Sequence, residues 1–159
     1  METNVKDWLT TKEISFKSFE HPAVFTCEEA KQQNVYKDIL GIHSKNLFLK
    51  DRKSRKFFLL IIPEEKKADL SAIERIVGEK IKFANEFDLK SLLGLSVGSV
   101  SPFGLLNDTE HKVEVLVDKD VWSSEFVSFH PNVNTATLEL LGVDFQKYVK
   151  LTGNKYTII

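Results

Sequence analysis

The chain contains one cysteine, Cys27. No disulfide can form within it, and a reducing compartment is expected. The four histidines (His21, His43, His111 and His130) have no ligand neighbour at metal-binding spacing, so neither a metal nor a cofactor is expected. A GxSxG elbow, a Walker A loop, an HExxH pair and a CxxC pair are all missing, which removes the commonest hydrolase, nucleotide and zinc motifs. No apolar run reaches membrane-spanning length, and METNVKDWLT lacks the basic-then-apolar order of a signal peptide; a cytoplasmic protein is expected. An excess of one charge is also absent: 22 basic and 23 acidic residues leave a net charge of −1. Proteins that hold nucleic acid mainly by phosphate neutralisation are usually strongly basic, so any such contact here should be local.

What is present is an ordinary globular composition with twelve phenylalanines, most of them in short apolar runs that read as core. The 159 residues are expected to form one domain, 1–159, large enough to bury a core without a staple. NVKDWLTTKEI has the spacing of a short amphipathic helix, FKSFEH alternates as a strand, and TCEEAKQQN reads as a capped helix with Thr26 at its N-cap. KNLFLKDRKSRKFFLLIIP predicts a β-hairpin closed by Pro63, with Lys45 at the start of its first strand. ADLSAIERIVG predicts a helix with Leu70, Ile73, Ile76 and Val77 on one face and Gly78 as its stop. KIKFAN, KVEVLVD, EFVSFHP, TATLELL and KYTII read as strands, and FDLKSLLGL and DFQKYVKLTG as helices ending at glycine. Strands and helices interleave irregularly, so the expected fold is α+β: a single domain with a mixed, barrel-like β-sheet and peripheral helices.

Glycine and proline number only seven and four, yet GLSVGSVSPFGLLND (94–108) holds three of the glycines and one proline. Within it, Gly98-Ser99-Val100-Ser101-Pro102 forms a G-x-x-x-P pattern followed by Phe103-Gly104. Gly98 permits a positive φ or close approach to a ligand, Pro102 stiffens the turn, and the N–H groups between them could converge on an oxygen. An ordinary helix-to-strand connection explains the same pattern. Lys45 could hold a phosphate or carboxylate, or be one more solvated lysine. His130 and Asn134, in FHPNVNTATLEL, could line a pocket or satisfy a turn. Cys27 could be a nucleophile, but its apolar neighbours favour packing. The hairpin tip carries Lys50, Arg52, Lys53, Arg55 and Lys56, a set that could grip a phosphate backbone or simply be solvated.

Taken in order, EHPAVFTCEEA, GIHSKNLFLKD, FFLLIIP, GLSVGSVSPFGLLND and FHPNVNTATLEL resemble the YbaK-like prolyl-tRNA synthetase-associated editing domains, and among them the freestanding alanyl-tRNA(Pro) deacylases of the ProX/PrdX group. The resemblance runs from about Phe16 to the C-terminus. It implies trans-editing: hydrolysis of the ester that joins a wrong amino acid to tRNA(Pro). It also implies that Lys45 engages the terminal adenosine and its phosphate, and that Gly98–Pro102 holds the ester. Asn46, Phe103, Gly104, His130 and Asn134 would then shape the substrate site, and Lys50, Arg52 and Lys53 would be candidates for wider tRNA contact. Water would be the attacking group, since the same family pattern has no serine or cysteine nucleophile. The mischarged acceptor end is the implied partner, and prolyl-tRNA synthetase the candidate protein partner. The neighbouring activities are deacylation of cysteinyl-tRNA(Pro), as in the YbaK branch, and non-catalytic tRNA binding.

Overall fold

A computed structural model describes residues 4–23, 39–53 and 55–159. The helix expected over TCEEAKQQN, and Cys27 with it, lie outside the described residues. The elements run α1 (Val5–Thr11), β1 (Lys17–Glu20), β2 (Ile42–Asp51), β3 (Phe57–Pro63), α2 (Leu70–Val77), β4 (Ile81–Phe83), α3 (Glu86–Leu93), a 3-10 helix (Pro102–Asn107), β5 (Val113–Val117), α4 (Lys119–Trp122), β6 (Phe126–Phe129), β7 (Ala136–Leu141), α5 (Gly142–Thr152) and β8 (Tyr156–Ile158). The eight strands form one mixed sheet in the order β1-β7-β6-β2-β3-β5-β8, with β4 paired to β2 off this path. This is the expected α+β domain with a mixed sheet, and its pairing order among the described residues is a path from β1 to β8.

The apolar run FFLLIIP makes β3 the centre of the fold because both its faces are covered. Leu59 and Ile61 enter a large core with Phe48, Phe103, Val115, Phe129, Phe145 and Tyr148. Phe58, Leu60 and Ile62 enter a smaller one with Leu49, Ile73 and Leu116, roofed by α2. Asp69 caps α2 through Ala72 N–H, and Gly78 stops it at φ 76. The helix buries only Ile73; Ile76, expected on the same apolar face, is half exposed.

One feature of β2 bears directly on function. β3 lines one of its edges from Ser44 to Lys50. On the other edge, β6 runs parallel to Ile42 and His43 only, and β4 pairs with Leu49, Lys50 and Asp51. From Ser44 to Leu47 that second edge has no strand partner among the described residues. Lys45 is therefore not at a strand's start, as the hairpin pattern predicts, but inside a ten-residue strand at the point where the sheet forks.

Candidate active site

Strand alternation divides the candidates. Ile42 and Phe48 of β2 pack with the large core, so Asn46 shares their face; His43, Lys45 and Leu47 take the other. On β6, Val127 and Phe129 are core, leaving Ser128 and His130 opposite. His43 Nδ1 meets Ser128 Oγ at 3.1 Å, and Lys45 and His130 each stand two positions beyond that pair. Lys45 and His130 thus both lie just beyond the point where β2 and β6 stop pairing. Lys45 is half-buried, and its ammonium makes no hydrogen bond or ion pair with a described residue.

His130 is held beside His21 across the start of β7. Each histidine is the first residue after a strand, and each precedes a proline, which favours extended backbone there. His130 Nδ1 lies 3.0 Å from the carbonyl of Ala136. His21 Nδ1 lies 2.9 Å from the carbonyl of Pro22, and its Nε2 lies 2.8 Å from Thr137 Oγ1. The ring centroids are 6.1 Å apart. A carbonyl only accepts, so both Nδ1 atoms carry protons, and Thr137 donates its hydroxyl proton to His21 Nε2. Burial is the main effect holding the His130 imidazole below the ordinary histidine value; the Ala136 carbonyl opposes it and His21 adds to it. The neutral ring presents a bare Nε2, which has no partner among the described residues. A cleft of about 620 Å³ is lined by Lys6, Glu20, His21, Asn107, Asn132 and Thr135 among others, and neither His130, Lys45 nor Gly98–Ser101 is part of its lining. Asn132 stands at φ 64, and its Oδ1 is buried without a partner, as is Asn46 Oδ1.

The glycine-rich segment divides into two parts with different jobs. Gly98 has φ 88, a left-handed conformation that favours glycine. The Ser99 N–H bonds the Ser96 carbonyl at 3.0 Å, whereas those of Gly98, Val100 and Ser101 make no hydrogen bond to a described residue. The N–H groups of Gly98 and Val100, on partly exposed residues, are the unused donors that an oxyanion or anion cradle needs, whereas Ser101 is fully buried. From Ser101 onward the segment is core. Ser101 is fully buried, and its Oγ accepts from Phe103 N–H at 3.0 Å to cap the 3-10 helix. Tyr148, wholly buried in α5, donates to the Pro102 carbonyl at 2.7 Å.

Three expectations need correction. Phe103 does not face a substrate: it is fully buried, edge-on to Tyr148 at 5.0 Å and to Phe129 at 6.1 Å. Gly104 is not glycine for the sake of a ligand, since a Cβ there would stand 2.7 Å from Leu95 Cδ1 and 3.1 Å from Leu93 Cβ. Lys50 is not on the basic surface. It is 7% exposed and bonded to Asp88, whose carboxyl it holds below the usual range. Arg52, Lys53 and Arg55 do stand exposed at the tip, beside Lys80 and Lys82 of the adjoining segment. Asn134 is half-buried in the loop before β7. The sequence pattern did not bring His21, Thr137 and Tyr148 into this region. The two His-Pro pairs, at 21–22 and 130–131, were the available signal for the first of them.

A model of the aminoacyl-tRNA editing domain matches residues 21–148. The chain is 38% identical over 147 residues to the prolyl-tRNA editing protein ProX of Acetoanaerobium sticklandii, covering 92% of this chain and 88% of that one. It is 33% identical to prolyl-tRNA synthetase associated domain-containing protein 1 of Mus musculus, over 88% of this chain and 84% of that one. Among solved structures, a candidate trans-editing enzyme for prolyl-tRNA synthetase superposes with a TM-score of 0.70 at 19% identity, covering 99% and 97% of the two chains. The hypothetical protein APE2540 gives 0.73 at 20% identity, with 97% of each chain covered; at these identities the two structures speak to fold alone.

Proposed function

The chain belongs to the aminoacyl-tRNA editing domain family, and on that premise we propose that it is a freestanding deacylase of mischarged tRNA(Pro), with alanine as the amino acid removed. The 38% identity across 92% of the chain to a protein named for prolyl-tRNA editing carries this reading. A synthetase pocket built for proline discriminates weakly against the smaller alanine, and a second site that admits only small side chains corrects the error.

The geometry supports a division of labour. Lys45, at the fork, holds the phosphate of the terminal nucleotide as a point charge. The ester carbonyl points at the backbone donors of Gly98 and Val100. A water oxygen adds to the carbonyl carbon, and the carbonyl oxygen takes up negative charge against those N–H groups. The bond from carbon to ribose oxygen then breaks; of the two protons of the attacking water one ends on the ribose oxygen and the other passes to solvent, and the amino acid leaves as its carboxylate. No side-chain nucleophile is used. Outside the site, Arg52, Lys53 and Arg55, joined by Lys80 and Lys82, take the place of the sequence-predicted set that included Lys50 as the surface for tRNA.

Deacylation of Ala-tRNA(Pro), Pro-tRNA(Pro), Cys-tRNA(Pro) and Ala-tRNA(Ala) by wild type and Lys45→Ala tests the reading. Rapid loss of Ala-tRNA(Pro) alone, slowed at least 100-fold in the variant, is the expected result; the figure matches loss of a charge-assisted contact of about 3 kcal/mol. Faster loss of Cys-tRNA(Pro) would move the activity to the YbaK branch. Binding of all four without hydrolysis would make the protein a tRNA-binding module.

A further inference from the structure

We infer that Asn107 is a positioning residue for deacylation: by tying the Leu93 carbonyl to the far end of the glycine-rich segment, it closes that segment into a loop and sets where the Gly98 and Val100 N–H groups stand. This rests on the deacylase reading above and adds to it the residue that holds the two donors in place.

A helix leaves its last carbonyls without a donor from its own turns, and Leu93 is the last residue of α3. Asn107, the last residue of the 3-10 helix, supplies one: its Nδ2 donates to the Leu93 carbonyl at 2.8 Å. The same amide lies against Gly94, where a Cβ would stand 2.9 Å from Nδ2. Gly94 turns the chain out of the helix at φ 66, and its own N–H already bonds the Leu89 and Lys90 carbonyls. The helix therefore stops without help from Asn107. What the asparagine adds is a join between the two stems of a segment whose ends are fourteen positions apart.

Between those stems the restraints are uneven. Leu95 is buried with its side chain against Gly104, and Ser101 to Leu105 are core. From Ser96 to Val100 the chain has one backbone bond of its own, from Ser99 N–H to the Ser96 carbonyl. The place of the donors is thus inherited from the stems. The outgoing stem is pinned inside the core, where Tyr148 donates to the Pro102 carbonyl. The incoming stem is tied by Asn107, which is half-buried and lines the cleft together with Gly94. Two N–H groups stabilise an oxyanion only when both are aimed at the same point, and a misplacement of about 1 Å costs on the order of 100-fold in rate.

The test uses Asn107→Ala, which removes the donor, and Asn107→Asp, which keeps its shape but replaces the donor with an acceptor. Water from the cleft can reach the Leu93 carbonyl in the Ala variant, so the fold should hold, and melts check this. On Ala-tRNA(Pro), kcat per folded molecule should fall roughly 10- to 100-fold in both variants at neutral pH, while Kd for uncharged tRNA(Pro) stays within about twofold of wild type. The Asp variant carries a second signature. Its ionised carboxylate opposes the Leu93 carbonyl as acceptor against acceptor, whereas the protonated carboxyl can donate to it. Measured relative to wild type at each pH, kcat of Asn107→Asp should rise severalfold from pH 7.5 to 5, and that of Asn107→Ala should stay flat. A residue that only stabilises α3 would lower Tm and leave kcat per folded molecule unchanged, and that result overturns the inference. So does a flat relative profile for the Asp variant, or a loss that appears in Kd in place of kcat. If Asn107→Ala does not fold, the pH profile of Asn107→Asp still decides. Absence of Ala-tRNA(Pro) hydrolysis by wild type would instead overturn the deacylase reading beneath it.

Discussion

Single residues in this protein separate the loop proposed to hold the ester from the core it grows out of. Gly98 and Gly104 are six positions apart in one glycine-rich segment and answer to different demands. Gly98→Ala forces a side chain into φ 88, costs about 1 kcal/mol and displaces the backbone donors. Gly104→Ala pushes a methyl group against Leu95 and Leu93 and should cost about 1–3 kcal/mol, with activity per folded molecule kept. Urea melts and deacylation rates on the two variants check this contrast: stability should fall more in Gly104→Ala, activity more in Gly98→Ala. His130 gives a pH signature. Its folded value lies below the ordinary one, so its contribution to stability is full above the unfolded histidine value and declines as pH falls through that value toward the folded one. Tm should therefore drop more steeply in wild type than in His130→Gln on acidification from pH 7.5 to 5.5. None of this division was legible in G-x-x-x-P, where every glycine looks alike until its neighbours are placed.

At the level of elements, α3 and the hairpin tip are joined by a pair that the sequence hides. Lys50 belongs by position to a run of basic residues at the tip, but strand alternation turns it inward to Asp88. Asp88 also accepts from Asn85 N–H, completing the capping box of α3. Lys50→Ala should cost about 2–3 kcal/mol, since it leaves a partly buried carboxylate unpaired, and should leave tRNA affinity unchanged in the folded protein. Charge reversal at Arg52 and Lys53 should do the opposite, weakening tRNA binding while leaving the melt in place. Filter binding and thermal denaturation on both variants separate the two. The elements themselves were largely readable: the hairpin, the glycine-stopped helices and the late strands follow from alternation and capping. The 3-10 helix over Pro102–Asn107 and the four-residue α4 were not, because each is too short to show a period and each is set by a cap and by packing. The fork in β2 was unreadable for a different reason. Which strand lies beside which is decided between segments far apart in sequence.

The whole molecule carries a net charge of −1, so binding to a polyanion must come from one patch. If Lys45, Arg52 and Lys53 make the phosphate contacts, the log of the tRNA association constant should fall with the log of salt concentration at a slope of about 2–3, far shallower than for a strongly basic protein. A titration between 50 and 200 mM salt measures it. Function at this scale was legible only as a resemblance of ordered segments, because no single motif in the chain specifies a reaction; the family match and the fold then agree with it. The bond from Tyr148 to the Pro102 carbonyl has a consequence for how the protein is made. The glycine-rich loop is synthesised some forty residues before the helix that pins it, and β8 follows that helix to pair with β5. A ribosome that has already made the glycine-rich loop must therefore add α5 as well before the Pro102 carbonyl finds its donor and the loop is pinned.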